Sequence, residues 1–307
     1  MGEGEVYHIS VMLKETIDAL RVENGGIFVD VTFGGGGHSR EILRRMGNGG
    51  RLIAFDQDTD ALKNGVDDKR LTIVNHNFRF MADYVDYITG GAKVDGILAD
   101  LGVSSHHFDS AERGFSFRAD GPLDMRMNRE AKLTAEEVVN TYDEDKLAKI
   151  LATYGEVDNA RRVAQRIVRE RVATVIDTTE KLREVVEKTT SRGDSNKTLT
   201  KVFQAIRIEV NHEMDALVGM LRGATQILKP GGRLVVLSYH SLEDRMVKNV
   251  IKTGDPLCSE AETDAIYGGS KSPFKQSNRK PMLPTEEEIE RNPRARSAKM
   301  RCAEKAR

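Results

Sequence analysis

Four consecutive glycines, Gly34 to Gly37, follow the apolar run Ile27-Phe-Val-Asp-Val-Thr-Phe33 and lead into His38-Ser-Arg-Glu-Ile-Leu43. Glycine tolerates positive φ and lets a backbone approach a ligand closely, and a helix starting just past such a turn aims unpaired N–H groups at whatever sits there. Ser39 or His38 can begin that helix. A nucleotide-like ligand fits, although an isolated glycine run is as readily a plain strand-to-helix turn. Neighbouring carboxylates shift the balance. Asp56, in Ala54-Phe-Asp-Gln-Asp58, lies twenty residues past Gly36, the interval at which a carboxylate meets ribose hydroxyls in nucleotide-binding βαβ units. As a helix cap Asp58 is the better candidate, which leaves Asp56 for the ligand.

These residues need a scaffold that brings them together. Short apolar runs at 27–32, 51–55, 71–75 and 94–99 alternate with helical patterns near 38–46, 58–65 and 79–89, the mark of a parallel sheet built from βαβ units. Ligands of such open sheets sit beyond the carboxyl ends of the strands, near the point where strand order reverses. The glycine loop ends the first strand, Asp56 the second and Asp100 the fourth, and Phe78 follows the third. From Thr134 to Asn211 nearly everything has helical periodicity, opened by the capping signal Thr134-Ala-Glu-Glu137, which predicts an all-helical insertion. Sheet-type sequence returns at Leu228-Lys-Pro-Gly-Gly-Arg-Leu-Val-Val-Leu-Ser238, and a last strand is expected near 297–304. The expected fold is therefore α/β: a doubly wound sheet formed by 1–105 and 213–307, interrupted by a loop and helical insertion at 106–212 that serves as a substrate domain.

At 307 residues, 39% hydrophobic and 31% charged, the chain has an ordinary globular balance. Its two cysteines, Cys258 and Cys302, lack disulfide-framework or zinc spacing, so neither a metal nor an oxidising compartment is expected. The N-terminus has no apolar leader segment and no run of eighteen apolar residues occurs, which places the chain in the cytoplasm. A net charge of −1 argues against a uniformly basic coat, yet 271–307 holds eleven Lys/Arg against five Asp/Glu. Arg161, Arg162, Arg166, Arg169 and Arg171 form a second cluster, readable as a solvated helix face or a phosphate-binding surface.

Two cofactors share the strand-end layout, a nicotinamide dinucleotide and S-adenosylmethionine. A dinucleotide loop favours G-x-G-x-x-G, and here the three slots hold Gly34, Gly36 and Ser39. Asp30, four residues before the loop, would repel a pyrophosphate and suits a cationic amino-acid cofactor better. S-adenosylmethionine is thus favoured. A nicotinamide-dependent oxidoreductase and a non-catalytic RNA-binding or ribosome assembly factor stand as rivals; the retained set Asp30, Asp56 and Asp100 argues against decay.

Longer blocks carry a resemblance. Asp30-Val-Thr-Phe-Gly-Gly-Gly-Gly-His-Ser39, Asp100-Leu-Gly-Val-Ser-Ser105, Glu112-Arg-Gly-Phe-Ser-Phe117, Asp120-Gly-Pro-Leu-Asp-Met-Arg-Met127, Lys201-Val-Phe-Gln-Ala-Ile-Arg-Ile-Glu-Val-Asn211, Ser238-Tyr-His-Ser-Leu-Glu-Asp-Arg245 and Asn292-Pro-Arg-Ala-Arg-Ser-Ala-Lys299 span nearly the whole chain. Together they resemble the RsmH/MraW family, the bacterial 16S ribosomal RNA cytosine-N4 methyltransferases. The resemblance implies a class I methyltransferase (Rossmann-like) core with an inserted helical domain, acting on a decoding-centre cytosine of the small ribosomal subunit. The family's cofactor contacts carry over onto Gly36, Gly37, His38, Asp56, Phe78, Asp100 and His107. At His107 the family often has glutamine, and at Ser10 proline.

The exocyclic amine of cytosine is conjugated with its ring and a poor nucleophile. An enzyme must hold it in line with the activated methyl and stabilise developing positive charge, which requires no metal. Asp100 ends the strand where such a group belongs, and Asp124, Ser238, His240 and Ser241 are further candidates; His240 also fits a helix start before Ser241-Leu-Glu-Asp244. The Pro-Pro-aromatic motif of many amine-methylating enzymes is absent after Asp100, where Leu101-Gly-Val-Ser-Ser105 stands. For RNA, Arg113 and Phe115 have guanidinium and stacking chemistry, Phe117 is expected to pack the insertion, and Arg294 and Arg296 supply basic contacts.

Overall fold

The computed structural model describes residues 10–103, 108, 110–191, 193–259 and 272–306; His107 lies outside the described residues. The chain divides into two compact units, one of Met1–Gly102 with Met214–Arg307 and one of Val103–Glu213. In chain order the helices and strands are α1 Leu13–Leu20, β1 Ile27–Asp30, α2 Gly37–Arg45, β2 Arg51–Asp56, β3 Leu71–Asn75, α3 Met81–Thr89 and β4 Val94–Asp100. The helical unit then holds α4 Ala135–Thr141, α5 Glu144–Gly155, α6 Ala160–Ala173, α7 Thr179–Glu187 and α8 Ser195–Asn211. The first unit resumes along α9 Glu213–Ile227 and continues with β5 Leu228–Ser238, α10 Ser241–Thr253, β6 Phe274–Gln276, α11 Glu286–Arg291 and β7 Lys299–Lys305.

The sheet order is β3-β2-β1-β4-β5-β7-β6, with β1 to β5 parallel and β7 antiparallel to both of its neighbours, β5 and β6. This is the doubly wound, Rossmann-like arrangement expected, and its order reverses between β1 and β4. The inner strands are apolar at nearly every position because helices cover both faces. Val29, Ile53 and Ile97 pack with Met81, Leu217 and Val250 on one face, while Phe28, Leu52 and Leu98 pack with Ile17, Leu20 and Ile42 on the other. Period-2 alternation then assigns Asp30, Asp56 and Asp100 to the second face, the one covered by α1 and α2. Helix α1 lies so close to β4 that a Cβ on Gly96 would come within 2.8 Å of Leu20 Cδ1.

Two expected features take different forms. The Pro230-Gly-Gly232 turn is a bulge inside β5: Val94 pairs with Leu228 and Gly96 with Arg233, the intervening residues loop out, and Gly231 has φ 81°. The helix expected at 58–65 shrinks to a 3-10 turn, Ala61–Asn64. There the Asp56 carboxylate takes the Asp58 N–H at 2.8 Å and the Asp58 carboxylate takes the Asp60 N–H at 3.0 Å, so local side-chain bonds compete with helical ones.

The helical unit has its own core, in which Val138, Leu147, Val163, Leu182 and Val202 are buried. The predicted capping box forms: the Thr134 hydroxyl accepts the Glu137 N–H and the Glu137 carboxylate accepts the Thr134 N–H, both at 3.1 Å. Asn211 ties the preceding loop to α8, accepting the Met127 N–H at 2.7 Å and donating to the Met125 carbonyl at 2.8 Å. Among the described residues no helix is long and apolar enough to cross a membrane.

Candidate active site at the carboxyl ends of the strands

The glycine loop is built from its backbone outward. Gly34 and Gly36 have φ of 51° and 73°, and Gly36 caps α2 in the left-handed region that glycine occupies without strain. A Cβ on Gly36 would lie 3.0 Å from Phe33 Cζ and 2.8 Å from Arg40 Nη1, and one on Gly37 would collide with the Ser10 hydroxyl. The loop therefore excludes side chains on two counts, backbone angle and space.

Asp56, at the end of β2, accepts the Gly34 N–H on Oδ2 at 2.8 Å and the Asp58 N–H on Oδ1 at 2.8 Å. These bonds hold its carboxylate against the loop. β3 ends opposite it, with Asn75 in register with Asp56 and donating to the Asp56 carbonyl at 2.9 Å. Half-buried Phe78 follows in a turn capped by the Asn77 side chain, which accepts the Arg79 N–H at 2.8 Å.

Asp30 behaves differently from the expectation that it would face a cationic ligand. It is buried at 1% exposure, accepts the Ser39 hydroxyl at 2.6 Å on one oxygen and takes the Thr32 N–H at 3.1 Å on the other. Burial pushes its carboxyl above the usual range, while the Ser39 hydroxyl opposes that shift. Its bonds are spent fastening α2 and the loop to the end of β1, so it acts on the cradle.

Asp100, at the end of β4, is fixed through its backbone, whose N–H donates to Thr32 Oγ1 at 2.7 Å. Its Oδ1 accepts the Tyr239 hydroxyl at 2.7 Å, and its Oδ2 lies 3.7 Å from Nδ1 of buried His38. His38 Nε2 in turn sits 3.1 Å from the Val11 carbonyl. Tyr239 follows β5 directly, and Glu243 secures it: Glu243 Oε2 accepts the Tyr239 N–H at 2.8 Å and the His240 backbone N–H at 3.3 Å. Nothing local in the sequence marks Tyr239 for the site, because Asp100 becomes its neighbour only through the fold; Glu243 acts locally, on the backbone nitrogens three and four residues before it.

The structure thus brings Gly34 to His38, Asp56 and Asp100 to one edge of the sheet, with Phe78 in the turn after β3 at that same edge. His240 is the residue before α10, its Nε2 3.1 Å from Glu243 Oε1, which gives it the helix-start role left open by the sequence. Ser241 is exposed in the first turn of α10, and Ser238 is buried with its hydroxyl 3.3 Å from the Lys299 carbonyl.

Arg113 and Phe115 are corrections. Arg113 is 3% exposed and donates to the Arg126 and Met127 carbonyls at 3.0 and 3.2 Å, so its guanidinium closes a loop inside the helical unit and is withdrawn from any phosphate. Phe115 is 4% exposed in that unit's core and has no face for a base. Phe117 packs edge-on against Phe203 at 5.4 Å, the packing role expected of it, although within the helical unit. Asp124 is held by Arg126 Nε and Nη2 at 2.9 and 2.7 Å; burial pushes its carboxyl up, yet the guanidinium prevails and holds it below the usual range. Arg294 and Arg296 are exposed in the 3-10 segment Pro293–Ser297 just before β7. Because β7 runs antiparallel to β5, with Ser238 opposite Lys299, that basic segment lies at the same sheet edge as the loop after β5.

The family model described as the MraW methylase family matches residues 5–306 of this chain. The chain is 55% identical over 303 residues to the ribosomal RNA small subunit methyltransferase H of Bacteroides fragilis (strain YCH46), with 99% of each chain covered. It is 56% identical over 299 residues to the protein of that name from Bacteroides thetaiotaomicron, covering 97% of each. The counterpart from Porphyromonas gingivalis (strain W83) is 50% identical over 303 residues, covering 98% of this chain and 97% of the other.

Proposed function

The chain belongs to the MraW methylase family, and from that premise we propose that it transfers a methyl group from S-adenosylmethionine to the N4 amine of a decoding-centre cytosine in 16S rRNA of the small ribosomal subunit, in the cytoplasm. The observation that carries this reading is the meeting of strand ends around the glycine loop, with Gly34 bonded to Asp56 and with Asp100 bonded to Thr32 and facing His38. A cradle that rejects a Cβ at Gly36 fits close backbone approach to a nucleoside-bearing cofactor, and carboxylates fit a cofactor that carries positive charge.

Gly36, Gly37, His38, Asp56, Phe78 and Asp100 would hold the cofactor, together with His107. Asp56 takes the ribose hydroxyls and Phe78 an apolar face of the base. Bound there, S-adenosylmethionine supplies an electrophilic methyl group. The chain's own work is to orient the cytosine amine and accept its hydrogen bonds as positive charge develops, after which a proton leaves. Asp100 and the His240-Ser241 pair stand at the ends of the adjacent strands β4 and β5, where a flipped base would have to arrive. Arg294 and Arg296 supply phosphate contacts, and the helical unit serves as the substrate domain.

The test is transfer of labelled methyl from S-adenosylmethionine to purified small subunits and, in parallel, to free 16S rRNA, followed by nucleoside analysis. The reading expects label in N4-methylcytidine. Label in another nucleoside overturns the target atom, and no label in either substrate overturns the enzyme.

A further inference from the structure

We propose that Tyr239 is a positioning residue for cofactor binding: its hydroxyl fixes Asp100 so that Asp100 Oδ2 and His38 Nδ1 form a pair of acceptors for one ammonium group. The inference rests on the cofactor reading above and goes beyond it by assigning a residue and a ligand chemistry to one corner of the site.

Tyr239 is constrained at both ends. Its backbone N–H is taken by Glu243 Oε2 at 2.8 Å, and its ring lies so close to Gly102 that a Cβ there would come within 2.8 Å of Cε2. Its hydroxyl reaches Asp100 Oδ1 at 2.7 Å. Burial, and after it the charge of Asp100, hold the phenol well above its ordinary range, so the hydroxyl keeps its proton and donates. With the Asp100 N–H donated to Thr32 Oγ1 at 2.7 Å, the carboxylate is tied from the backbone side and from Oδ1, and Oδ2 is the oxygen directed at His38.

His38 has one arrangement as a neutral ring. The Val11 carbonyl, 3.1 Å from Nε2, can only accept, so Nε2 carries the hydrogen and Nδ1 presents a lone pair. That lone pair lies 3.7 Å from Asp100 Oδ2, beyond hydrogen-bond distance. Two acceptors facing each other across such a gap are both satisfied by a group with several N–H donors and positive charge. A primary ammonium, such as the amino-acid end of S-adenosylmethionine, has that chemistry.

Calorimetry on the full chain tests this with two ligands, S-adenosylhomocysteine, which carries the ammonium, and 5′-methylthioadenosine, which lacks the whole amino-acid portion. Tyr239→Phe keeps the ring beside Gly102 and removes only the hydroxyl. The expected result is about tenfold weaker binding of S-adenosylhomocysteine, the worth of one hydrogen bond to a charged group, with 5′-methylthioadenosine unchanged. Adding Tyr239→Phe to Asp100→Asn should weaken S-adenosylhomocysteine no further than Asp100→Asn alone. Unchanged S-adenosylhomocysteine binding by Tyr239→Phe overturns the proposal, as do equal losses for both ligands, which would mark a merely structural residue. A wild-type protein that binds neither ligand overturns the cofactor reading and this inference with it.

Discussion

Asp100 and Asp124 are both carboxylates that the sequence marks as candidates for chemistry, and the structure treats them in opposite ways. Asp124, in the helical unit, is gripped by the Arg126 fork at 2.7 and 2.9 Å, while the Arg126 and Met127 carbonyls beside it are taken by Arg113. Charge is neutralised there within the loop, and the group is spent on structure. Asp100 has no cation on its oxygens among the described contacts: a neutral phenol holds Oδ1, and Oδ2 faces an imidazole nitrogen 3.7 Å away. A carboxylate held in place by neutral donors keeps its charge available for a ligand, whereas one closed by a guanidinium has met its partner already. The same contrast separates Arg113 from Arg294 and Arg296, the first buried on carbonyls and the others at the surface.

The largest expected effect would break the comparison if it failed. Asp100→Asn should lower the methyl-transfer rate by on the order of 10²-fold with little change in melting temperature, while Asp124→Asn should leave transfer within about threefold and lower stability by about 1 kcal/mol. Kinetics and thermal unfolding on both variants check this, and the reverse pattern would invert the assignment of roles. Next, Phe115→Ala should destabilise the helical unit by about 3–4 kcal/mol, as cavity formation in a packed core does. Denaturant titration of that variant reads the loss, and a near-neutral result would put Phe115 back among surface residues. Neutralising Arg294 and Arg296 together should flatten the salt dependence of RNA binding by roughly one to two units of log–log slope; Arg113→Ala should leave the slope alone.

The smallest effect concerns pH. Arg44, bonded to Glu41 at 2.7 Å, holds that carboxyl down to about 2, with Arg45 assisting. A carboxyl depressed in the folded state contributes stability above its unfolded value of 4.5 and loses it as pH falls toward about 2. Glu41→Gln should therefore shallow the acid limb of the stability profile slightly between those values, and an unchanged limb would show the pair to be screened away.

What was legible in the chain follows from how local each feature is. The strands at 27–30, 51–56, 71–75 and 94–100 appear where apolar, β-branched runs demanded them, because burial on both faces writes itself into consecutive residues. Helix α1 escaped notice because its ends lack the usual signals: Met12 and Arg21, both non-glycine residues with positive φ, flank it without a side-chain cap. β6 is only three residues long and gives no period to read. Within the site, the glycines and strand-end aspartates announce themselves locally. Tyr239 does not, since its partner Asp100 lies 139 residues away in sequence. Arg113 misled for the same reason, as its carbonyl partners sit in a loop that Asn211, 84 positions beyond Met127, pins in place.

The measurement closest to the central claim is titration of S-adenosylmethionine into wild-type protein and Asp56→Ala by calorimetry. If the strand ends hold the cofactor, wild type binds it one to one and Asp56→Ala binds it about 10²-fold more weakly, the cost of losing hydrogen bonds to a charged group. Equal affinity for the two proteins would contradict the account.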